Sequence, residues 1–328
     1  MSKIDKSLEE YKNWCESLGI LCADDLSRSI KNGEINTVIN LTEIWHEHCI
    51  SNIAEEIKEN IKNKKIIMVA GPSSSGKTSF SARLKLHLKV MGINAKTISL
   101  DDYYYDKSNT PLEELDYLTF DYADSLDYNL FGENMKALLE GKTASLPVFD
   151  FATRRQISGK KNMCLCDNEV VIVEGIHALN DIVTSKIGVG NLFKVYCTAL
   201  TCLKRNNGDK ISSRTTRLLR RLIRDCYFRS SNADFTFRMW DDVENAAKVN
   251  IYPFTDSADV VFNSSVLYEF CVYKKHIAKF MADGLVDEKY KDFKENINSL
   301  LGDFCTIDDS LIPRMCFVRE FIGGSSLF

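Results

Sequence analysis

The segment Gly71-Pro72-Ser73-Ser74-Ser75-Gly76-Lys77-Thr78 has the residue types and spacing to cradle a polyphosphate. Its two glycines let the backbone curl until N–H groups point inward at phosphate oxygens, and a helix starting at Lys77 adds the positive end of its dipole. Lys77 places a point charge on the β and γ phosphates. The Thr78 hydroxyl is placed to ligate a Mg2+ that bridges those phosphates and offsets charge as the bond to the leaving oxygen breaks. The expected ATP-binding segment runs from Gly71 to Ser79. A Gly/Ser-rich turn with a chance lysine is the bland alternative, and it leaves the apolar run before the segment and the helical run after it without a reason.

Such a loop serves hydrolysis as well as transfer. The chain has no Asn-Lys-x-Asp guanine-reading segment and no glutamine after the candidate metal-binding strand to position a water. Transfer to a hydroxyl instead needs a carboxylate within hydrogen-bond reach of the attacking oxygen. In an open parallel sheet ligands lie beyond the carboxyl ends of the strands, where Asp101, Asp102 and Glu174 fall. Asp101 is assigned as the base and is counted with Thr78 and Glu174 among the metal ligands. Asp102 is the runner-up, because adjacent strand-end residues point to opposite faces. A helix cap at Asp101-Asp102 and an ordinary strand-terminal Glu174 are the structural alternatives.

Arg217, Arg220, Arg221 and Arg224 recur at the spacing of one helix face and are expected to exceed what local carboxylates can neutralise. Arginine matches phosphate bidentately, so the stripe is expected to act as a lid over the transferring group. A solvated basic face and a nucleic-acid patch are the competing readings.

These residues need a scaffold. The 328 residues have room for one large α/β domain with extra helices. Hydrophobic residues at 45% and charged residues at 27% exclude a disordered or fibrous chain. A net charge of −4 argues against a nucleic-acid partner and for small ligands. The longest apolar runs fall far short of a membrane span, and the polar start lacks a secretory stretch, so a cytoplasmic location is expected. The eleven cysteines are odd in number and irregular in spacing, which suits reduced packing residues.

The periodicity predicts a helical N-terminal extension over 1–62, a kinase domain over 63–283 and a helical C-terminal extension over 284–328. Within the domain, strands are expected at Ile66–Ala70, Ala95–Leu100, Val170–Glu174, Phe193–Thr198 and Asp259–Asn263. They alternate with helices as in a three-layer α/β/α P-loop NTPase with a five-stranded parallel sheet. Residues 102–159, interrupted by Pro111 and Pro147, read as an insertion of loops, a helix and a hairpin.

Beyond the phosphate loop, six segments follow in order: Ser-Leu-Asp-Asp-Tyr-Tyr (99–104), Phe-Asp-Tyr-Ala-Asp-Ser-Leu-Asp (120–127), Pro-Val-Phe-Asp-Phe (147–151), Val-Glu-Gly-Ile-His-Ala-Leu (173–179), Thr-Arg-Leu-Leu-Arg-Arg (216–221) and Ala-Asp-Val-Val-Phe-Asn-Ser (258–264). In this the chain resembles the uridine kinase and phosphoribulokinase family of P-loop kinases. Leu-Ile-Pro (311–313) and Arg-Glu-Phe-Ile-Gly-Gly-Ser (319–325) resemble the C-terminal extension of its longer nucleoside kinase subgroup. Residues 18–60 look like the helical end of the threonyl-tRNA synthetase-like region that often precedes that kinase.

The resemblance implies that Asp101 is the catalytic base, that Asp121 binds ribose hydroxyls, that Arg217 and Arg220 are lid arginines, and that Tyr104 lines the same pocket. It places Phe149 where a tyrosine is usual and Arg154 near a base-reading histidine. Arginine only donates hydrogen bonds, so an acceptor-rich edge such as uracil O4 is expected to be favoured over the cytosine amino group. The implied reaction is ATP-dependent phosphorylation of a nucleoside 5′-hydroxyl, most simply uridine to UMP in pyrimidine salvage, by an enzyme of a kind that is often oligomeric. A P-loop kinase for a purine nucleoside, sugar phosphate or pantothenate-like alcohol, and a nucleotide-binding regulator without turnover, are the alternatives.

Overall fold

The computed structural model describes residues 1–108, 121–282 and 285–328. Pro111, Phe120 and the expected boundary between 283 and 284 lie outside the described residues. Strand β1 (Ile66–Ala70) is an unbroken aliphatic run buried on both faces, the signature of an interior strand in a parallel sheet. It pairs in parallel with β5 (Glu169–Glu174) on one side and β6 (Leu192–Thr198) on the other, with Ile66 opposite Val171 and Leu192. Strands β2 (Asn94–Ser99) and β7 (Val260–Asn263) complete the order β2-β5-β1-β6-β7, and all pairings are parallel. The five expected strands are thus present, with ends shifted by one residue where local geometry intervenes. Leu100, expected to close β2, instead begins a 3₁₀ turn that carries Asp101 and Asp102.

Alternation along β1 assigns the two cores. Ile67 and Val69 face one layer, and Ile66, Met68 and Ala70 face the other. The first layer holds α1 (Lys3–Ser17), α2 (Ala23–Lys31), α3 (Ile35–Asn60), α4 (Lys77–Val90), α7 (Ser213–Phe228), α9 (Glu269–Phe280) and α10 (Lys291–Gly302). The second holds α5 (Tyr128–Leu139), α6 (Asp181–Thr184) and an antiparallel hairpin of β3 (Ala144–Asp150) and β4 (Arg155–Met163). Helix α8 (Ala233–Asn250) reaches both, with Trp240 in the first core and Ala247 in the second. This is the three-layer P-loop NTPase fold.

Both extensions share the first core. Trp14 of α1 stacks on Trp45 of α3 with ring centroids 5.0 Å apart, and the backbones of Leu21, Ala23 and Lys204 join the N-terminal helices to the loop after β6. At the other end Phe317, Val318 and Phe321 are fully buried, the last in the short helix α11 (Arg319–Ile322). All eleven cysteines are free. No helix among the described residues is long and apolar enough to cross a membrane.

Because β1 is flanked by β5 and β6, the winding reverses beside it and a crevice opens at the carboxyl ends of β1 and β5. The loop after β1 enters that crevice under tight contact. A Cβ on Gly71 would stand 2.1 Å from the Cys197 carbonyl oxygen of β6. Gly71→Ala is therefore expected to cost about 1–3 kcal/mol by overpacking against an immobile backbone, read as a lowered chemical-denaturation midpoint.

Candidate active site

The phosphate loop is held from behind. Ser74 (φ 62°) and Gly76 (φ 84°) take left-handed conformations, and Gly76 caps α4 where a Cβ would press on Ser264 and Phe317. Three of the loop's carbonyls are held by fixed donors. Arg217 Nε donates to Ser73 O at 2.9 Å, Arg220 Nη1 to Ser74 O at 3.4 Å, and the Ser264 hydroxyl to Ser75 O at 2.6 Å. With those oxygens tied outward, the loop presents N–H groups inward.

This placement corrects the expectation for the arginine stripe. Arg217 and Arg220 are buried and paired, the first with Glu244 at 2.8 Å and the second with the fully buried Glu269 at 2.8 Å. They do not line the crevice. Arg221 and Arg224 do, together with Arg229 just past the end of α7, and all three share Asp225 at 3.2, 3.0 and 3.7 Å. Local carboxylates thus serve every member of the stripe, and the surplus charge is confined to the three arginines around one aspartate. Burial and the neighbouring Arg224 charge push Arg229 down to about 10, although Asp225 and Asp101 pull the other way.

The crevice is a cavity of about 320 Å³ lined by Ser73 to Thr78 on one wall. Asp101 and Tyr104 after β2, Glu174 at the end of β5, Phe151 just past β3 and Asp121 also line it. Lys77 is half-buried, its Nζ donating to Gly71 O at 2.8 Å and Pro72 O at 3.2 Å. Burial lowers its affinity for a proton, and the charges of Glu174 and Asp101 oppose that. Asp101 is raised above the usual carboxylate range by burial, against the pull of Lys77 and Arg229. Its neighbour Asp102 turns away and accepts the Phe149 N–H at 3.2 Å. The pair thus divides, one toward the cavity and one toward the hairpin.

The Thr78 hydroxyl donates to the Glu174 carboxylate, with oxygens 3.1 and 3.3 Å away. These are hard oxygen donors side by side, with Asp101 at the same cavity, and they are of the kind that would hold a Mg2+ shared with a phosphate ligand. Among the described residues no cluster of three or more His, Cys, Asp or Glu side chains forms an all-protein cation site, which such a shared ion does not require. Glu174 is pushed up to about 7, chiefly by burial and then by the charges of Asp101 and Glu320, despite Lys77.

Three expected contacts fall elsewhere. Phe149 is buried against Tyr104 and Phe151, and it is Phe151, 55% exposed, that faces the cavity. Arg154 occupies the hairpin turn with φ 56°, its carbonyl accepting from Lys107 N–H, and is not among the lining residues. Ser79 lies behind the wall, and its backbone N–H and hydroxyl donate to Glu320. Glu320, Arg229 and Phe151 were not singled out from the sequence. The row 221, 225, 229 continues the helix face by steps of four and could have flagged Arg229. Phe151 falls one residue past the end of β3, where the two-residue repeat of a strand continued from Phe149 could have flagged it. For Glu320, 241 positions from Ser79, there was no local signal.

Residues 66–206 match the model of the Phosphoribulokinase / Uridine kinase family. Curated relatives include a uridine kinase of Macrococcus caseolyticus, 33% identical over 35% of this chain and 54% of its own length. A uridine kinase of Ligilactobacillus salivarius is 34% identical over 37% of this chain and 56% of its own. The chain thus spans a little over half the length of these two curated relatives. A solved structure described as a possible uridine kinase from Bacillus stearothermophilus is 18% identical, covering 63% of this chain and 100% of that one with a TM-score of 0.40.

Two outcomes test this arrangement. Arg220→Ala leaves Glu269 buried without its partner and is expected to cost about 3–5 kcal/mol of stability, whereas Arg224→Ala at the cavity edge is expected to cost well under 1 kcal/mol, both read by urea titration. Folding raises the proton affinity of Glu174, so its contribution is favourable below the unfolded value of 4.5 and is lost as pH rises through about 7. Without Mg2+ or nucleotide, Glu174→Gln should therefore melt higher than the parent chain at pH 8, and the gap should close by pH 4.

Proposed function

We propose that this chain, which carries a phosphoribulokinase / uridine kinase family domain, transfers the γ-phosphoryl group of ATP to the 5′-hydroxyl of a nucleoside, with uridine the favoured acceptor. The observation that carries this reading is the meeting of the Lys77–Thr78 loop end, Glu174 and Asp101 around one cavity whose far side is aromatic. The uridine kinases among the relatives support the choice of acceptor.

In this reading the loop N–H groups and Lys77 hold the β and γ phosphates, and Arg221, Arg224 and Arg229 stabilise charge on the transferring group. Asp101 accepts the hydroxyl proton, helped by a raised proton affinity that brings it nearer neutral pH. Mg2+, held by Thr78 and Glu174 beside Asp101, would supply charge neutralisation across the phosphates. Tyr104 gives Asp101 a hydroxyl contact that fixes the carboxylate. Asp121 takes the ribose hydroxyls and the Phe151 ring stacks on the base, a reading supported by their both lining the cavity. The acceptor is a small molecule met in the cytoplasm.

The test is acceptor-dependent ADP release with ATP and Mg2+ across uridine, cytidine, inosine, adenosine, ribulose 5-phosphate and pantothenate. A nucleoside signal is expected, lost in Asp101→Asn. Phe151→Ala should raise the nucleoside KM about ten- to hundredfold, as loss of one base–aromatic stack does, while Arg154→His leaves the uridine-to-cytidine ratio unchanged. ATP binding without turnover on any acceptor would replace this reading with a regulatory one.

A further inference from the structure

The first turn of α4 carries a ligand supplied by the chain itself. Glu320 Oε2 accepts the Ser79 backbone N–H at 3.1 Å and the Ser79 hydroxyl at 2.6 Å. The carboxylate also lines the cavity beside Lys77, Thr78 and Glu174. Helix first-turn N–H groups have no partner within the helix and are what a phosphate loop offers to an anion. Lys77 would serve the β and γ phosphates, and the Ser79 donors, two residues further into the helix, are shut off from the cavity by the Glu320 carboxylate that lines it.

The backbone around Glu320 is anchored. Phe321 is fully buried under the Arg220 guanidinium, 5.1 Å from its ring centroid, and Phe317 packs on the loop at Gly76. Arg319 donates to the carbonyls of Asp309 and Ile312 at 2.6 Å each. The carboxylate is therefore delivered to Ser79 by fixed structure, while its own side chain is only partly buried.

We propose that Glu320 is an intramolecular anion in the donor-phosphate site, so that ATP binds by turning it off Ser79 and its charge sets the affinity for the nucleotide. A phosphate and a carboxylate cannot both take the same two donors, and two anions at that distance repel in a cavity that already holds Asp101 and Glu174. The C-terminal segment thereby becomes part of the nucleotide site. The proposal rests on the phosphate-loop kinase reading, and its test separates the two.

Calorimetric titration with MgATP and with MgADP, without acceptor, is made on the parent chain, Glu320→Gln and Glu320→Ala. Loss of the competing charge is expected to lower Kd about ten- to hundredfold in Glu320→Ala, and by a smaller factor in Glu320→Gln, whose amide oxygen still accepts from Ser79. Unchanged or weaker binding in the variants overturns the proposal and leaves the kinase reading standing. No binding to any of the three chains overturns both. Should Glu320→Ala fail to fold, the isosteric Glu320→Gln carries the same decision through the direction of its change.

Discussion

The site depends on a reversal of backbone polarity at residues 73–75. A peptide loop offers as many oxygens as N–H groups, and a polyphosphate would be repelled by the oxygens. Here three consecutive carbonyls are drawn outward by Arg217, Arg220 and Ser264, and the two arginines are themselves held by the buried carboxylates of Glu244 and Glu269. A pair buried this deeply gains little net stability from its charges, but it is costly to break and holds one geometry. Its return is orientation: the donors that meet a ligand are arranged before the ligand arrives.

The same economy of charge governs the cavity. Lys77, Asp101 and Glu174 stand half-buried around one cavity with one more negative than positive group among them, and loss of solvation shifts each toward its neutral form. The arrangement is unfavourable for the protein alone, as is usual for perturbed groups that line a ligand site. On the opposite wall Arg221, Arg224 and Arg229 share a single aspartate, so positive charge remains available to an anion there.

The terminal extensions complete this machinery. The N-terminal helices cover one sheet face, and Glu43 and Glu47 of α3 reach the buried Arg83 of α4 at 3.2 and 2.6 Å. The C-terminal segment packs Phe317 against the loop and brings Glu320 to Ser79. The helix that bears the phosphate loop is thus braced from both ends of the chain.

What the sequence alone determined follows from local rules. The strand-loop-helix at residues 66–90, the five parallel strands and the acids at strand ends are properties of short segments, legible through burial pattern, glycine spacing and periodicity. Helix periodicity put four arginines on one face, but not which carboxylates that face would meet. Glu244 and Glu269 come from α8 and α9, so only tertiary packing made Arg217 and Arg220 buttresses and left Arg221 and Arg224 at the cavity. The choice between Asp101 and Asp102 was likewise open until the 3₁₀ turn after β2 set their directions. Phe151 replaced Phe149 at the cavity because the hairpin buries the latter against Tyr104. Glu320 meets Ser79 across 241 residues, a contact no local pattern encodes, because it exists only once the first core has brought α4 and α11 together.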